Sequence, residues 1–509
     1  MNDDKYLMIG KKDLKTYYLN PSFNDLFFSI DFDLPITYIN MLKVKHIIFF
    51  ILGLFFIFSI FRLLKAEYET RDLCESRDPI FMMRNRLNIP SDKLCIGVNS
   101  FHKCYKNDNN NDVDNYHSKK GVICEIKNFI LDPSKWQSDE NLKYSGPFDY
   151  RAKGLPLVTK GLFNLNCVAD NEINDVNKLY DFYFNSFNYR MNSTSYNNVK
   201  EFGKKKIVFF ISRNHDSTNL FHGGSGFINA FSLMNILNLE PQNIQIIFLD
   251  SINITNDPFY SLYKNLISRG GEPIHISQLK NKYYIYNAIH IPLNYDSPCF
   301  IVSDVPKCNY QQSETYKLLN KSITEYINIS PFRDSIGFDK EIFFYPKTII
   351  NPNSNIYNKF VTIQWRRVWP KERTGQQRVL GNGPELTEAL AELLPKNIMI
   401  RLVDTARLTM EEQIAIMHKT DYLIGQHGSG LFLSIFLPTQ SIVQQFYYKT
   451  YYNSLHLMSS LSGHKTYSDY ISAKVEIIGA NEVLFFNVQE FTKVILKNMK
   501  KSGFNIKNY

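Results

Sequence analysis

The chain has 509 residues, with 58 lysines and arginines against 49 aspartates and glutamates, for a net charge of +9. At roughly 150 residues per domain this length accommodates about two or three domains with a substantial core. A hydrophobic content of 44% excludes a wholly disordered chain, and a mean hydropathy of -0.26 excludes a polytopic membrane protein. Residues 1–45 hold six basic and six acidic side chains, so the excess positive charge lies downstream. There it falls in short scattered runs such as Lys204-Lys205-Lys206 and Arg366-Arg367. No recognised nucleic-acid module accompanies them, and nucleic acid is not an expected partner.

The longest apolar run, Ile47 to Phe61, extends through Leu63-Leu64 if Arg62 snorkels. It has no polar face and begins too far from Met1 for an ordinary signal peptide. We therefore expect a 1–45 cytosolic tail and a 46–64 transmembrane signal anchor. Lys43 and Lys45 on one side against Arg62 and Lys65 on the other leave orientation undecided by charge. All seven cysteines follow the run, as do four N-x-S/T sequons at Asn192, Asn253, Asn320 and Asn328. Together they favour an oxidising compartment for the body, hence a single-pass type II protein of the Golgi or ER membrane. Cys299 and Cys308 are close enough in sequence to close a small disulfide loop.

Residues 65–117, which include the Asn-rich stretch Asn107 to Asp114, are expected to be a stem. An N-terminal α/β domain is expected over 118–345 and a C-terminal one over 346–509. In the first, Ile207–Ser212 and Ile244–Asp250 read as buried strands, and Phe227–Leu237 and Phe259–Ser268 as helices. Residues 309–345 are polar and less periodic, and Pro346–Asn355 reads as a linker. In the second domain the strands are Phe360–Trp365, Ile398–Val403, Tyr422–Gly425 and Ile442–Phe446. Its helices are Pro384–Leu394, Met410–Lys419 and the segment after Gly430. Strand–helix–strand alternation implies parallel sheets. Two such Rossmann-like halves place a ligand cleft between their carboxyl-end loops, as in the glycosyltransferase-B architecture and in many other two-domain α/β proteins.

Three segments carry chemistry. In Asp421–Leu431 an apolar strand runs into His427-Gly428-Ser429-Gly430 and opens a helix. Glycines there let backbone N–H groups approach a phosphate, and His427 could donate to a phosphate oxygen or a sugar; the bland reading is a tight strand–helix turn. Arg366, at the end of another strand, is followed by Arg378 and Asn382, and forked guanidiniums suit a diphosphate. Ser212–Gly226 follows the first strand of the N-terminal half and holds Asp216, His215 and His222, the clustered acid/base candidates there. Asp-x-Asp occurs only at Asp31/Asp33 and Asp112/Asp114, neither at a strand end, which argues against a metal-clamped sugar-nucleotide site. No zinc spacing, Walker A loop or G-x-S-x-G elbow is present.

His427-Gly-Ser-Gly-Leu followed by Phe436-Leu-Pro resembles the "HGAGL…FLP" segment of glycosyltransferase family 61. Arg366 with Arg378 and Asn382 is similar to that family's "R…R…N" stretch. Asn219-Leu-Phe-His222, Cys124 to Trp136 and Leu155 to Phe163 resemble segments of its β-1,2-xylosyltransferase branch. The likeness covers roughly residues 120–480. It implies an inverting, metal-independent transferase whose substrates are a UDP-sugar and a glycan or glycoprotein. Arg366, Arg378, Asn382, His427, Gly428, Ser429 and Gly430 would hold the nucleotide diphosphate, and no cofactor is implied. Xylose transfer to the N-glycan core is the first expectation and protein O-GlcNAc transfer the second. Two departures stand out: Gly226 replaces an Asp of the N-terminal motif, and Gln444-Gln445 replace a Glu after "FLP". The base then falls to Asp216 or His222, and a non-catalytic, lectin-like descendant is the rival reading.

Overall fold

The computed structural model describes residues 59, 78–88, 92–97, 100–105, 123–137, 157–169, 186–189, 198–213, 219–251, 254, 257–291, 313–329, 342–345, 357–367, 378–449, 454–479 and 481–506. The chain divides into two compact units, Met1–Ala66 and Glu67–Tyr509. Of the first only Ser59, exposed and helical, is described. The expected tail and anchor otherwise lie outside the described residues, as do Asp216, Asn192, Asn253, Cys299 and Cys308. Among the described residues no helix is long and apolar enough to cross a membrane.

The second unit begins with α1 (Pro79–Asn88), β1 (Asp92–Ile96), β2 (Phe101–Tyr105) and β3 (Ile123–Leu131). The first three fall in the stretch expected to be a stem. They are integral to the fold: α1 and β2 bury side chains, and β1 pairs with β2. Ile80 and Met83 of α1 are 1% and 0% exposed, and alternation in Phe101–Tyr105 buries His102 and Cys104 on one face. Asp78 fixes the start of α1 by accepting from the Ile80 amide at 2.8 Å and from the Thr315 hydroxyl at 2.8 Å. Cys104 and Cys124 lie directly opposite each other on β2 and β3 and are disulfide-bonded; Cys167 is disulfide-bonded as well.

Then follow β4 (Ile207–Ile211), α2 (Leu220–Ile236), β5 (Ile244–Phe248), β6 (Ile274–His275) and β7 (Tyr283–Ile291). Strands β6-β5-β4-β7 are parallel, as the alternation implied, and β4 and β5 are buried nearly throughout. The sheet is nevertheless mixed, because β7 pairs antiparallel with β3, which continues into β2 and β1.

α3 (Glu314–Ile329) lies in the segment read as polar and less periodic. It is amphipathic, burying Tyr316, Leu319, Ile323 and Ile327 at three- and four-residue spacing. The C-terminal half holds β8 (Ile342–Tyr345), β9 (Lys359–Gln364), β10 (Arg378–Leu380), α4 (Gly383–Leu393), β11 (Ile398–Val403), α5 (Met410–His418), β12 (Tyr422–Gln426) and β13 (Ile442–Tyr447). It ends with α6 (Ser454–Leu461), β14 (Lys465–Tyr470), β15 (Ala473–Ile478), β16 (Asn481–Phe486) and α7 (Val488–Lys501). Its main sheet has the order β8-β11-β9-β12-β13-β14, parallel except at β8. A small second sheet, β10-β16-β15, stands beside it. Where a helix was expected after Gly430, the chain forms a 3-10 helix, Ser429–Phe436, buried from Leu431 onward.

One apolar cluster runs through both halves. It joins Phe227 and Phe231 of α2, Ile246 of β5 and Leu319 of α3 to Ile414 of α5 and to Phe432 and Phe436 of the 3-10 helix. Gly224 leaves room for this packing, since an added Cβ there would lie 2.0 Å from Phe432 Cζ.

Candidate active site

β9 is flanked by β11, reached through α4, and by β12, reached through α5. The strand order therefore reverses between β9 and β12, and a crevice opens where their carboxyl ends diverge. Arg366 leaves the end of β9 and His427 the end of β12. Arg366 Nη1 donates to the His427 carbonyl oxygen at 3.1 Å, while the Arg366 carbonyl accepts from the Leu380 amide at 2.7 Å. The guanidinium is thus tied to the turn that carries the histidine. Gly428 makes the approach possible, since a Cβ there would sit 1.9 Å from Arg366 Nη1. Gln364 holds the next turn by donating from Nε2 to the Gly430 carbonyl at 2.9 Å. Gly428 caps the 3-10 helix whose first residues are Ser429 and Gly430.

His427 is 6% exposed, and its Nδ1 lies 3.2 Å from Gln445 Oε1 on β13. Burial lowers its pKa to about 4; the contact with Gln445 opposes the shift, and the positive charges of Arg378 and Arg366 add to it. His427 is therefore neutral at pH 7. Arg378 opens β10, paired across from Glu482 of β16. That glutamate accepts from Tyr448 Oη at 2.5 Å and from Lys449 Nζ at 3.1 Å. Asn382 was expected to hold the diphosphate. Its side-chain amide donates to the Phe486 carbonyl at 2.8 Å and accepts from the Phe486 amide at 3.1 Å. Asn382 acts as a short extra strand rung that pins the turn between β10 and α4.

The N-terminal element approaches through packing. Asn219 caps α2 by accepting from the Phe221 amide at 3.1 Å. His222 lies half-buried in the first turn of α2, edge-on to Phe221 at 5.7 Å between centroids, and Phe221 in turn meets Phe432 at 6.4 Å. Helix α2 and the 3-10 helix that follows His427 are thereby locked together. Of the two described sequons, Asn328 is exposed on α3. Asn320 is half-buried and donates its amide nitrogen to the Leu437 carbonyl at 3.2 Å, a bond that a glycan would displace.

Several polar groups at strand ends were not foreseen. Arg213, after β4, is 1% exposed and forks onto Asp250, after β5, at 3.0 and 2.9 Å. It also reaches Asp257 at 3.1 Å and stacks 4.0 Å over Phe248. Arg367 pairs with buried Asp404 at 3.4 Å while covering Trp365. Their signal in the sequence is position alone: Arg213, Asp250, Arg367 and Asp404 each follow a strand by one to three places. Of the two glutamines, Gln445 faces His427, whereas Gln444 accepts from Tyr422 Oη and Asn498 and donates to Asp469.

No curated protein matches the chain. Residues 253–444, which contain Arg366, Arg378, Asn382 and His427–Gly430 but not the Asn219–His222 element, match the family described as Glycosyltransferase 61, and that match supports a glycosyltransferase.

Proposed function

We propose that the protein is a lumenal glycosyltransferase of the secretory pathway, transferring a sugar from a UDP-sugar to a glycan or glycoprotein with inversion. The observation that carries this reading is the tie between Arg366 and the His427 carbonyl at the β9/β12 switch point, within the stretch that matches the family. A guanidinium fixed beside a glycine turn and a second arginine, Arg378, supply positive charge where a leaving diphosphate needs it. The acceptor hydroxyl loses its proton to a base and its oxygen bonds to the anomeric carbon. The bond from that carbon to the diphosphate oxygen breaks, and UDP leaves with the electron pair. Diphosphate charge is met by arginines without a metal ion. The base comes from the N-terminal element, as His222 or Asp216. The disulfide between Cys104 and Cys124 supports the lumenal setting, with the body anchored to the Golgi or ER membrane by residues 46–64. Xylose onto the N-glycan core is the transfer to test first, and GlcNAc onto Ser or Thr the second.

The test is to incubate the purified full chain with UDP-xylose and UDP-GlcNAc in EDTA, following thermal stabilisation and release of UDP. UDP stabilises the protein, and one donor turns over in EDTA. Arg366→Ala and His427→Ala abolish turnover while the protein still folds. Full activity in both variants removes the site assignment. UDP binding without turnover favours the lectin-like reading, and loss of turnover in EDTA removes the metal-free one.

A further inference from the structure

The small sheet of the C-terminal half ends in an open edge. Among the described residues β15 (Ala473–Ile478) pairs with β16 alone, in an antiparallel ladder that matches Val475 with Leu484. Two hydrogen bonds show which backbone groups face that edge. The Ser472 carbonyl accepts from the Asn487 amide, just past β16, at 2.9 Å. The Leu484 carbonyl accepts from the Gly381 amide, just past β10, at 2.8 Å. In such a ladder the N–H and C=O of one residue point to the same side, and the side alternates along the strand. Ser472 is thus turned inward, while Leu484 and its partner Val475 are turned away from each other. Both bonds give the same phase: Ala473, Val475 and Ile477 direct their N–H and C=O groups off the sheet. Apolar side chains accompany them, with Val475, Ile477 and Ile478 at 37%, 64% and 59% exposed. An open apolar edge of this kind is a template for another strand.

The residues of β15 select the strand that fits. Lys474 Nζ lies 2.8 Å from Glu476 Oε1, so the two charges share one face of the strand and Val475 lies between them on the other. A two-fold axis through Val475 sets it against Val475 of a second copy, and sets Ala473 of each copy against Ile477 of the other. Each of the three outward residues then donates one N–H and accepts one on its C=O, giving three bonds from each copy and six in all. In the same register Lys474 of each copy stands opposite Glu476 of the other. Sliding the pairing by two residues, in either direction, sets Lys474 against Lys474 or Glu476 against Glu476. It also leaves one outward residue of each copy without a partner in the facing strand. The register with the most hydrogen bonds is therefore the one in which the charges match. We propose that β15 is a homodimer interface, two copies pairing antiparallel across Val475 and joining their three-stranded sheets into one of six strands. The strand is its own complement, which is why a second copy, and not an unrelated peptide, is the occupant. This pairing is independent of what the crevice at His427 binds.

Sedimentation equilibrium of the full chain in density-matched detergent tests this. One strand pair makes a small interface, so the wild type should dimerise with a dissociation constant of about 1–100 μM. Lys474→Glu and Glu476→Lys each place like charges opposite one another, and each alone weakens self-association about tenfold or more. Mixed together, the two variants present complementary strands. The mixture forms a heterodimer within about threefold of the wild-type affinity. Val475→Pro removes an outward N–H and no bond within the subunit, so the variant folds and stays monomeric. A wild type that is still monomeric at about 100 μM overturns the proposal. So does a mixture that associates no more tightly than either variant alone. A Val475→Pro dimer as tight as the wild type also overturns it, because the contact then lies elsewhere in the chain. Lys474 and Glu476 are exposed side chains, so the mixing experiment decides even if Val475→Pro does not fold.

Discussion

Acid destabilises this protein well above the range in which its carboxylates titrate, through three histidines that fold neutral. His102 is fully buried between β2 and the Phe187 and Tyr189 rings, and burial with the nearby His290 lowers its pKa to about 3. His464, also 0% exposed, and His427 are each lowered to about 4 by burial. In the unfolded chain each takes up a proton near pH 6.5, so between about pH 6.5 and pH 4 the unfolded state binds more protons and stability falls as pH falls. At pH 5 each histidine costs about 2 kcal/mol, and the three together about 6 kcal/mol, a large share of a typical stability. His275 and His418 are shifted the same way by burial. Asp132, Glu272 and Glu482 are shifted down and lose their contribution only at lower pH. The assay is urea unfolding of the purified chain at pH 7, 6, 5.5 and 5 at constant ionic strength. The expected slope is about 4 kcal/mol per pH unit below pH 6, falling by about a third in His464→Gln. A flat profile from pH 7 to 5, or an unchanged slope in that variant, refutes the argument.

Gly428→Ala drives a methyl into Arg366 Nη1 and pushes the guanidinium off the His427 carbonyl. UDP affinity should fall at least about tenfold in calorimetry, with a melting temperature close to wild type. Gly224→Ala meets the Phe432 ring and should cost about 1–3 kcal/mol in denaturant unfolding, partly recovered by Phe432→Leu in the same chain. Asp250→Asn strips Arg213 of its forked partner in a site that is 1% exposed, and a loss of about 3–5 kcal/mol is expected from thermal or urea unfolding.

The sequence made the C-terminal half legible because buried parallel strands are continuous apolar runs. Ile398–Val403 is as expected, the strand at Phe360 is shifted by one residue at both ends, and those starting at Tyr422 and Ile442 run one residue longer than expected. The strand Phe101–Tyr105 was hidden because its buried positions are His102 and Cys104 rather than aliphatic residues. α3 carried a readable pattern of Tyr316, Leu319, Ile323 and Ile327, diluted by the polar residues of its outer face. At the site, strand-end position singled out Arg366 and His427. Partners contributed by distant backbone were beyond reach. Nothing local ties Asn382 to Phe486, and only the strand register tells which of Gln444 and Gln445 meets His427.

The same register bears on how substrates are accommodated. Two doubly wound halves suggest a cleft that closes by rotation about a linker, but the apolar cluster here is shared between them. Phe432, three residues inside the 3-10 helix, meets Gly224, Phe221 and Phe259 of the N-terminal half. Rotation of one half against the other would have to pull that ring from a site where it is 0% exposed. Exposing a phenylalanine alone costs about 2–3 kcal/mol, before counting Phe436 and the α3 contacts that would follow. Adjustment to substrate therefore belongs to side chains and loops at the strand ends, with the two motif-bearing elements fixed. Hydrogen exchange with and without UDP tests this. Amides of α2 and of Leu431–Phe436 should keep the same protection in both states, and changes should be confined to the strand-end turns around Arg366 and His427. Deprotection of α2 or the 3-10 helix in one state alone would restore a hinge between the halves.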